Sequence, residues 1–517
     1  MSSNELLIMQ NINLLLQETE EAYIFRINQI KKIYRDMSKE ERDSLIEHLH
    51  DIFLGCESVL FVVLTIFVDC VDCSRMLFNE MTETILKSDF TIEELMRAFI
   101  QLRYVAFSSP EVDPSSISKL YRYIYKRCLA ECYQCQKYIP YAKRDVRKIL
   151  VITDQLLAET HSPTQLLCNL VYFLRKAGYG VEVLVASEAM ILPDERNWLS
   201  KGKKMNNRFE NDESFNCMYY GENIKGYNFN IRAENLTDSI TEAISVVRRV
   251  NPVFAISMDT NLIADIVSDF MTVICNPLMA GRPASIVKRV IYKGERTDTI
   301  GLDWNKDGEK DIYAINYPII LSPQWEGDES VIQEIRSISG FKALLVGNRL
   351  DDEIDHAFIN FLYDCVHRID DIVYVIVGDC PKLKEYIMRG GLKDHFFFVG
   401  YTKNLPGIMN CVNVYLNPPR KGGGFSAKIA MESGVPIITL RNCDVYEWCG
   451  EEFACDDFAE MGNLLMRYQD DEMYEKQQKE ILKKNCLSFF VSEADGIKNT
   501  IDGCKSIIQS ICREEIR

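Results

Sequence analysis

A short segment, residues 417–426, combines two cations with three consecutive glycines in the order Asn-Pro-Pro-Arg-Lys-Gly-Gly-Gly-Phe-Ser. Glycine lets the backbone approach a ligand closely, and a helix predicted to begin at Ser426 would direct unpaired N–H groups towards the same point. With the charges of Arg420 and Lys421, these features suit a diphosphate; the alternative is a glycine turn beside exposed basic side chains. The residues predicted to bind are Arg420, Lys421, Gly422, Gly423, Gly424, Phe425 and Ser426.

A second candidate is Arg349, in a Gly-Asn-Arg-Leu run that directly follows the apolar segment 342–346. An arginine placed after a strand can project across a cleft towards the same phosphates, to which its planar guanidinium is well suited. The alternative is a surface arginine paired with Asp351 or Asp352. The residues predicted to line this part of the site are Gly347, Asn348 and Arg349.

A third candidate is His161, which follows the apolar segment 149–153 in a Thr-His-Ser-Pro run. A histidine at the mouth of a cleft can act as a general base or hold a substrate by hydrogen bonds. The alternative is a structural histidine. Asp259, on the loop after the apolar segment 253–257, is a carboxylate candidate in the same half of the chain.

Short apolar runs alternate with helical patterns from residue 145 onwards, which is typical of parallel sheets covered by helices. The pattern restarts at residue 342 after a linker at 318–328, so we expect an α/β fold with two Rossmann-like domains around one cleft. Asp379 is a candidate ligand-binding residue because it follows one of these apolar runs, 373–377. The polar stretch 194–232 is expected to be an irregular excursion. Strands are expected at 149–153, 181–186, 253–257, 271–275, 342–346, 373–377, 396–399, 414–416 and 436–440.

The first 144 residues show apolar side chains at helical spacing and contain a single glycine, Gly55. They contain no phosphate-binding loop and no nucleophile beside an obvious base, so we expect, by elimination, an all-helical interaction or oligomerisation domain. The predicted domains are 1–144, all-helical; 145–325, the first Rossmann-like domain; 326–470, the second; and 471–517, a charged helical segment.

The composition excludes several functions for the 517-residue chain. A formal net charge of −17 argues against nonspecific nucleic-acid binding and against a polybasic membrane patch. The most apolar run, 59–68, is too short to span a bilayer, so no transmembrane segment is expected. Eighteen cysteines and no basic leader favour a cytoplasmic protein with reduced thiols. Two CxxC pairs, Cys70 with Cys73 and Cys132 with Cys135, could in principle bind zinc, but buried free cysteines are favoured.

Residues 342–440 resemble the C-terminal domain of GT-B glycosyltransferases, especially the large retaining family with a Gly-Arg-Leu element and a Glu-Gly-Phe-Gly element running into Glu-Ala-Met-Ala-x-Gly-x-Pro. The run 348–350 matches the first element, and 430–436 matches the end of the second. The resemblance implies that Arg349 binds the donor diphosphate and that the glycine turn lies against the donor. It also implies that Gly400 and Tyr401 lie near the nucleobase. The helical N-terminus before the GT-B halves is similar in architecture to bacterial cytoplasmic protein glucosyltransferases.

The chain departs from this family at the positions of the family's two glutamates, where this sequence has Lys421 and Ile429. Isoleucine cannot accept the hydrogen bonds of a donor ribose, and lysine reverses the charge next to the sugar. The lysine that usually follows the Gly-Arg-Leu element is replaced by an acidic run, 351–353, for which Lys421 or Lys428 is an alternative cation. The acidic run resembles a metal cluster only superficially, and no metal or other cofactor is expected, because basic groups and helix ends can stabilise a leaving diphosphate.

The leading hypothesis is a metal-independent hexosyltransferase that moves a sugar from a nucleoside-diphosphate sugar to a protein or glycan acceptor, with His161, Arg349 and Lys421 as the catalytic residues. One alternative is a catalytically silent GT-B protein that serves as scaffold or partner of an active glycosyltransferase, docked through the helical N-terminus. That region could equally form a homo-oligomer. Another alternative is a nucleotide-sugar epimerase.

Overall fold

The structure of the chain is a computed structural model, and several of the predictions above concern residues that it does not describe. These include the apolar run 59–68, Cys70 and Cys73. No helix in the part of the chain that the structure describes is long and apolar enough to cross a membrane. The residues described are 2–15, 26, 29–34, 36–52, 75–87, 90–92, 95–96, 99, 103, 114–159, 161–186, 214–228, 236–278, 283–292, 311–320, 325–347, 349–369, 371–391, 393–420, 424–441, 443, 445–489 and 491–516.

The first sheet has eight described strands in the order β3-β4-β2-β1-β5-β6-β7-β8, and β1 pairs in parallel with β2 on one side and β5 on the other. Its central strands are buried on both faces, as their continuous apolar sequence predicts. The strands are β1 (Asp145–Thr153), β2 (Gly180–Val185), β3 (Ser214–Tyr219), β4 (Glu222–Asn228), β5 (Pro252–Met258), β6 (Val273–Asn276), β7 (Arg289–Tyr292) and β8 (Asp311–Ala314).

The second sheet has six described strands in the order β11-β10-β9-β12-β13-β14, all paired in parallel. The chain runs outward from β9 to β11 and then returns to add β12 on the other side of β9. The strands are β9 (Lys342–Val346), β10 (Val373–Val377), β11 (Phe396–Gly400), β12 (Val414–Leu416), β13 (Ile437–Leu440) and β14 (Ala454–Cys455). The predicted α/β class with two Rossmann-like sheets is therefore confirmed.

Helices cover both sheets, and further helices lie in the described parts of the region before β1. The described ones are α1 (Ser3–Leu15), α2 (Lys39–Ile52), α3 (Arg75–Lys87), α4 (Pro114–Glu131), α5 (Ser162–Lys176), α6 (Leu236–Val250), α7 (Leu262–Val267), α8 (Glu329–Ser337), α9 (Leu350–Glu353), α10 (His356–Arg368), α11 (Pro381–Arg389), α12 (Leu405–Met409), α13 (Gly424–Glu432), α14 (Val445–Cys449), α15 (Phe458–Asp470), α16 (Glu472–Phe489) and α17 (Glu493–Ile516).

Part of the stretch expected to be irregular, 194–232, is a β-hairpin at the edge of the first sheet. β3 and β4 pair in antiparallel register, and β4 pairs in parallel with β2. The two residues between them, Tyr220 and Gly221, have φ angles of 50° and 78°. Two left-handed residues form the type I′ turn whose twist matches that of the flanking strands. The prediction of an irregular excursion is thus wrong for 214–228, and β7 and β8 were not predicted.

The helical region before residue 145 packs on one face of the first sheet. Ile124 of α4 belongs to the same buried hydrophobic cluster as Ile152 of β1. At this junction the hydroxyl of Tyr121 donates to Oδ2 of Asp265 at 2.5 Å, and both side chains are buried. A shared core means that these helices form an additional layer of the first domain.

The last two helices divide between the two domains. α16 packs on α13 and α14 of the second domain, whereas α17 returns to α5 and β8 of the first. Near its end, Glu515 lies 3.3 Å from Nη2 of the buried Arg144 and accepts a hydrogen bond from the backbone N–H of Tyr141. Because Ile507 and Ile511 are buried in the core of the first domain, the end of the chain is part of that domain.

Candidate functional site

The site in the second domain lies where the strand order reverses, between β9 and β12. These neighbouring strands end at Val346 and Leu416, so the loops that follow both of them lie at one edge of the sheet. Arg349 is on the first loop, and Gly424 begins α13 after the second. Ligands of open α/β sheets bind at such a switch point, where the N–H groups at a helix start also favour anions.

Arg420 differs from the exposed phosphate-binding cation that we expected. Its side chain is only 4% exposed, and its guanidinium has three polar partners within the domain. Nη2 donates to the hydroxyl of Tyr415 at 2.7 Å, Nε donates to Oδ1 of Asn417 at 3.0 Å, and Nη1 donates to Oε2 of Glu353 at 3.0 Å. Arg420 therefore fixes the segment that leads into the glycine turn from inside the protein.

The space for this guanidinium comes from Gly347, at the end of β9. A Cβ atom at that position would lie 2.7 Å from Nη1 of Arg420 and 3.1 Å from Cδ2 of Leu350. Real Cβ atoms essentially never come as close as 2.7 Å, so a larger residue here would force Nη1 of Arg420 to shift. Gly347 was predicted to contact the ligand; in the structure, its lack of a side chain accommodates Arg420.

The carboxylate of Glu353, at the end of α9, forms ion pairs with both arginines. Its Oε1 lies 2.8 Å from Nη2 of Arg349, and its Oε2 lies 3.0 Å from Nη1 of Arg420. The carboxylate is 5% exposed, whereas Arg349 is 30% exposed. Burial by itself lowers the pKa of the Arg420 guanidinium, but its interactions with Tyr415 and Glu353 outweigh burial, so this pKa lies above its ordinary value.

The sequence did not identify Glu353 as a partner of Arg349 and offered Asp351 or Asp352 in its place. Asp351 caps α11, where its carboxylate accepts from the backbone N–H groups of Lys382 and Leu383 at 3.1 and 2.8 Å. The side chain of Asp352 lies outside the described part of the structure. The available signal was the four-residue spacing between Arg349 and Glu353, which places two side chains on one face of a helix.

The glycine turn is described only from Gly424. That residue begins α13, two residues before the predicted helix start at Ser426, and Phe425 and Ser426 follow it half-buried in the first turn. Four predicted ligand contacts lie outside the described residues and stay predictions: Asn348, Lys421, Gly422 and Gly423.

The remaining predicted donor contacts lie on the other side of β9. Asp379 is exposed after β10, and Gly400 ends β11 with a φ of +76°, a conformation that favours glycine. The carbonyl of Gly400 accepts a hydrogen bond from the N–H of Gly378 at 2.8 Å, which ties the ends of β10 and β11 together. Tyr401 is 57% exposed, so its ring is available for stacking.

In the first domain, His161 lies at the N-terminus of α5, after β1. Its Nδ1 is 3.1 Å from Oγ1 of Thr164, which in turn accepts from the backbone N–H of Leu157. Burial lowers the pKa of His161 to about 4, so the imidazole is neutral at physiological pH. A base with so low a pKa abstracts protons poorly near neutrality, which favours a hydrogen-bonding role over general-base catalysis.

Asp259 follows β5, the neighbour of β1, so it lies at the same edge of the first sheet as His161. It has a φ of +64° and is buried. Its Oδ1 is 3.5 Å from Nη2 of Arg103 in the helical region, and its Oδ2 accepts from the N–H of Leu278 at 3.3 Å. These partners fix the carboxylate within the loop, which suits a structural role.

Among the residues that the structure describes, no group of three or more His, Cys, Asp or Glu side chains is arranged to hold a metal ion. Cys132 and Cys135 are free cysteines at the end of the helical region, and Sγ of Cys135 lies 4.0 Å from Asp269. Glu353 is committed to two arginines and Asp351 to a helix cap, so neither of these acidic side chains presents an open carboxylate.

The pH dependence of His161 provides a test of its buried environment. Its folded-state pKa of about 4 lies below the ordinary value of 6.5, so the unfolded chain binds more protons between these two values. The free energy of unfolding should therefore fall as the pH decreases from about 6.5 towards 4. We expect denaturant unfolding at pH 7 and pH 5 to show a smaller pH dependence in H161Q than in the wild type. Equal pH dependence, or an imidazole NMR titration near 6.5, would contradict the assignment.

Comparison with known proteins agrees with this architecture. Residues 341–483 match the family model described as "Glycosyl transferases group 1". The lipopolysaccharide core biosynthesis mannosyltransferase LpsB of Rhizobium meliloti (strain 1021) is 30% identical over 101 residues, which are 17% of this chain and 28% of that protein. The match thus spans little more than a quarter of the relative.

One solved structure extends the comparison to the fold, and a second gives a weaker superposition. A mutant of the Thermobaculum terrenum O-GlcNAc transferase superimposes with a TM-score of 0.52 at 13% identity, over 99% of each chain. Anabaena Alr3699/HepE in complex with UDP gives a TM-score of 0.44 at 12% identity, over 71% of this chain and 99% of that one. The first of these, with the two sheets described above, shows that the chain has the GT-B fold. The predicted resemblance is confirmed.

Proposed function

We propose that this chain, a GT-B-fold protein whose second Rossmann domain matches glycosyl transferases group 1, moves a hexose from a nucleoside-diphosphate sugar to a protein or glycan acceptor. The observation that carries the proposal is the placement of Arg349 and the start of α13 on adjacent loops at the switch point of the matched domain. An arginine and a helix N-terminus together favour a diphosphate group.

In the proposed reaction, the bond between the sugar and the diphosphate breaks, and the acceptor hydroxyl oxygen forms the new bond to the sugar. The hydroxyl proton is released to the leaving diphosphate or to water, and negative charge develops on the diphosphate. Arg349, Lys421 and the N–H groups of the glycine turn stabilise that charge, which is the role that a metal ion has in other transferases. The reaction is therefore proposed to be metal-independent. Tyr401 and Gly400, at the end of β11, are the proposed contacts of the nucleobase.

The acceptor is proposed to bind the first domain, at the edge that carries His161. A neutral imidazole can orient an acceptor hydroxyl by a hydrogen bond through Nε2, while Nδ1 faces Thr164. We propose the cytoplasm as the compartment, since the described cysteines are free thiols, many of them buried.

One observation favours a second candidate function, a catalytically silent partner of another glycosyltransferase. Ile429, where the resembling family has a ribose-binding glutamate, is buried in the hydrophobic core of the second domain. Its side chain offers no hydrogen bond, so the donor lacks one contact that the resemblance would otherwise supply. Under this alternative, the cleft binds no donor and the helical region docks the partner.

The test is a donor-hydrolysis screen with UDP- and GDP-sugars, in which release of free nucleotide is measured with and without candidate acceptors. We expect one donor to be hydrolysed slowly by the chain alone and faster when its acceptor is added. EDTA should leave the rate unchanged if the reaction is metal-independent. Absence of both nucleotide release and calorimetric binding at millimolar donor would favour the silent partner instead.

A further inference from the structure

We infer that Glu353 is a positioning residue for Arg349, and that the buried ion pair of Glu353 with Arg420 holds this phosphate-binding arginine in one fixed arrangement. The inference deepens the proposed function and rests on it, because it concerns how the same diphosphate site is organised.

The carboxylate of Glu353 lies between two guanidinium groups. Each oxygen of Glu353 faces a different guanidinium, at 2.8 Å for Arg349 and 3.0 Å for Arg420. An incoming diphosphate could remove Arg349 from Glu353 only by competing with a carboxylate at close range. It cannot displace Glu353 itself, because that would leave the buried Arg420 without its carboxylate partner, which is strongly unfavourable.

The three charged side chains differ in their exposure to solvent. Glu353 and Arg420 are 5% and 4% exposed, whereas Arg349 is 30% exposed. Of these three side chains, Arg349 is the one most accessible to solvent. The buried pair therefore acts as a fixed base from which one partly exposed guanidinium is presented at the switch point, as preorganised anion sites require.

The ion pair of Glu353 with Arg420 also connects two segments of the second domain. Glu353 ends the segment after β9, and Arg420 directly precedes residues 421–423 of the glycine turn. Gly347 allows their contact, because a Cβ there would meet Nη1 of Arg420 at 2.7 Å. The ion pair thus joins the segment after β9 to the segment that follows β12.

The experiment is a calorimetric titration of the full chain with UDP, GDP and inorganic pyrophosphate. We expect E353Q to bind the best of these about tenfold more weakly than the wild type, since glutamine cannot accept from both arginines. E353D keeps the negative charge, but its side chain is one methylene shorter, so its carboxylate can pair with only one of the two arginines. We expect E353D to lose a similar amount of affinity. The matched control is E385Q, which removes the glutamate of an exposed i,i+4 Arg–Glu pair on α11 and should bind normally.

A double-mutant cycle separates positioning from a general loss of structure. In an R349M background, E353Q should weaken binding less than it does in the wild type, because the arginine that Glu353 positions is already absent. An equal tenfold loss in both backgrounds would overturn the inference in favour of a purely structural role. Unchanged or tighter binding by E353Q would also overturn it, since Glu353 would then be neutral or a competitor of the ligand. If the wild type itself binds none of the three probes, the proposed function fails first.

Discussion

Replacement of Arg349 by methionine together with Lys421 by alanine is expected to reduce donor turnover by roughly two to four orders of magnitude. Each charge-assisted hydrogen bond to a phosphate contributes about 1.5–3 kcal/mol, so the loss of two corresponds to roughly 3–6 kcal/mol of transition-state stabilisation. The effect should fall mainly on kcat, because the charge on the leaving diphosphate increases as the glycosidic bond breaks. Release of free nucleotide at saturating donor measures it.

The matched control for this double variant is R389M with K382A. Both of these cations lie on the exposed surface of α11 in the same domain, and their removal changes the net charge by the same amount. We expect the control to turn over donor at nearly the wild-type rate. If both double variants lose activity equally, the effect reflects the overall field of the domain; full activity of R349M with K421A would refute the assignment of the phosphate site.

The elements that the sequence predicted well are those whose pattern is local. The last five residues of β1, most of β9 and all of β10 are apolar runs buried on both faces, and such runs are informative without any knowledge of the neighbouring strands. The hairpin of β3 and β4 lies at an edge, half of its side chains are polar, and its turn residue Tyr220 is not a typical left-handed residue. Its pattern therefore resembled an irregular loop.

In the site, too, the features set by neighbouring residues were predicted, whereas contacts between residues far apart in the sequence were not. Arg349 and the start of α13 were predicted because each comes shortly after an apolar run in the sequence. The burial of Arg420 was not predicted, because it depends on Glu353, which is 67 residues away in the sequence, and on the absence of a side chain at Gly347. A basic residue beside glycines looks exposed until its partner in another loop is known. Likewise, α17 was predicted as a helix, but its return to the first domain depends on contacts with α5.

Arg420 provides the largest expected effect on stability. In R420M, Glu353 would keep only the partly exposed Arg349, and the buried Tyr415 hydroxyl and Asn417 Oδ1 would each lose a donor. Removal of one partner from a buried ion pair typically costs about 3–5 kcal/mol, because a desolvated charge is left uncompensated. We therefore expect the free energy of unfolding of the second domain to fall by about that amount, measured by urea denaturation with a tryptophan fluorescence readout.

Arg441 is the matched control, because it belongs to the same domain and has two carboxylate partners, Glu451 and Asp456. If the number of ion pairs decided stability, R441M would cost more than R420M. The side chain of Arg441 is 39% exposed, however, and exposed pairs contribute only about 0–1 kcal/mol, since water solvates the separated charges almost as well. A loss in R441M as large as that in R420M would show that burial is not the cause. A small loss in both would mean that Glu353 and Arg420 do not form the fixed base on which Arg349 depends.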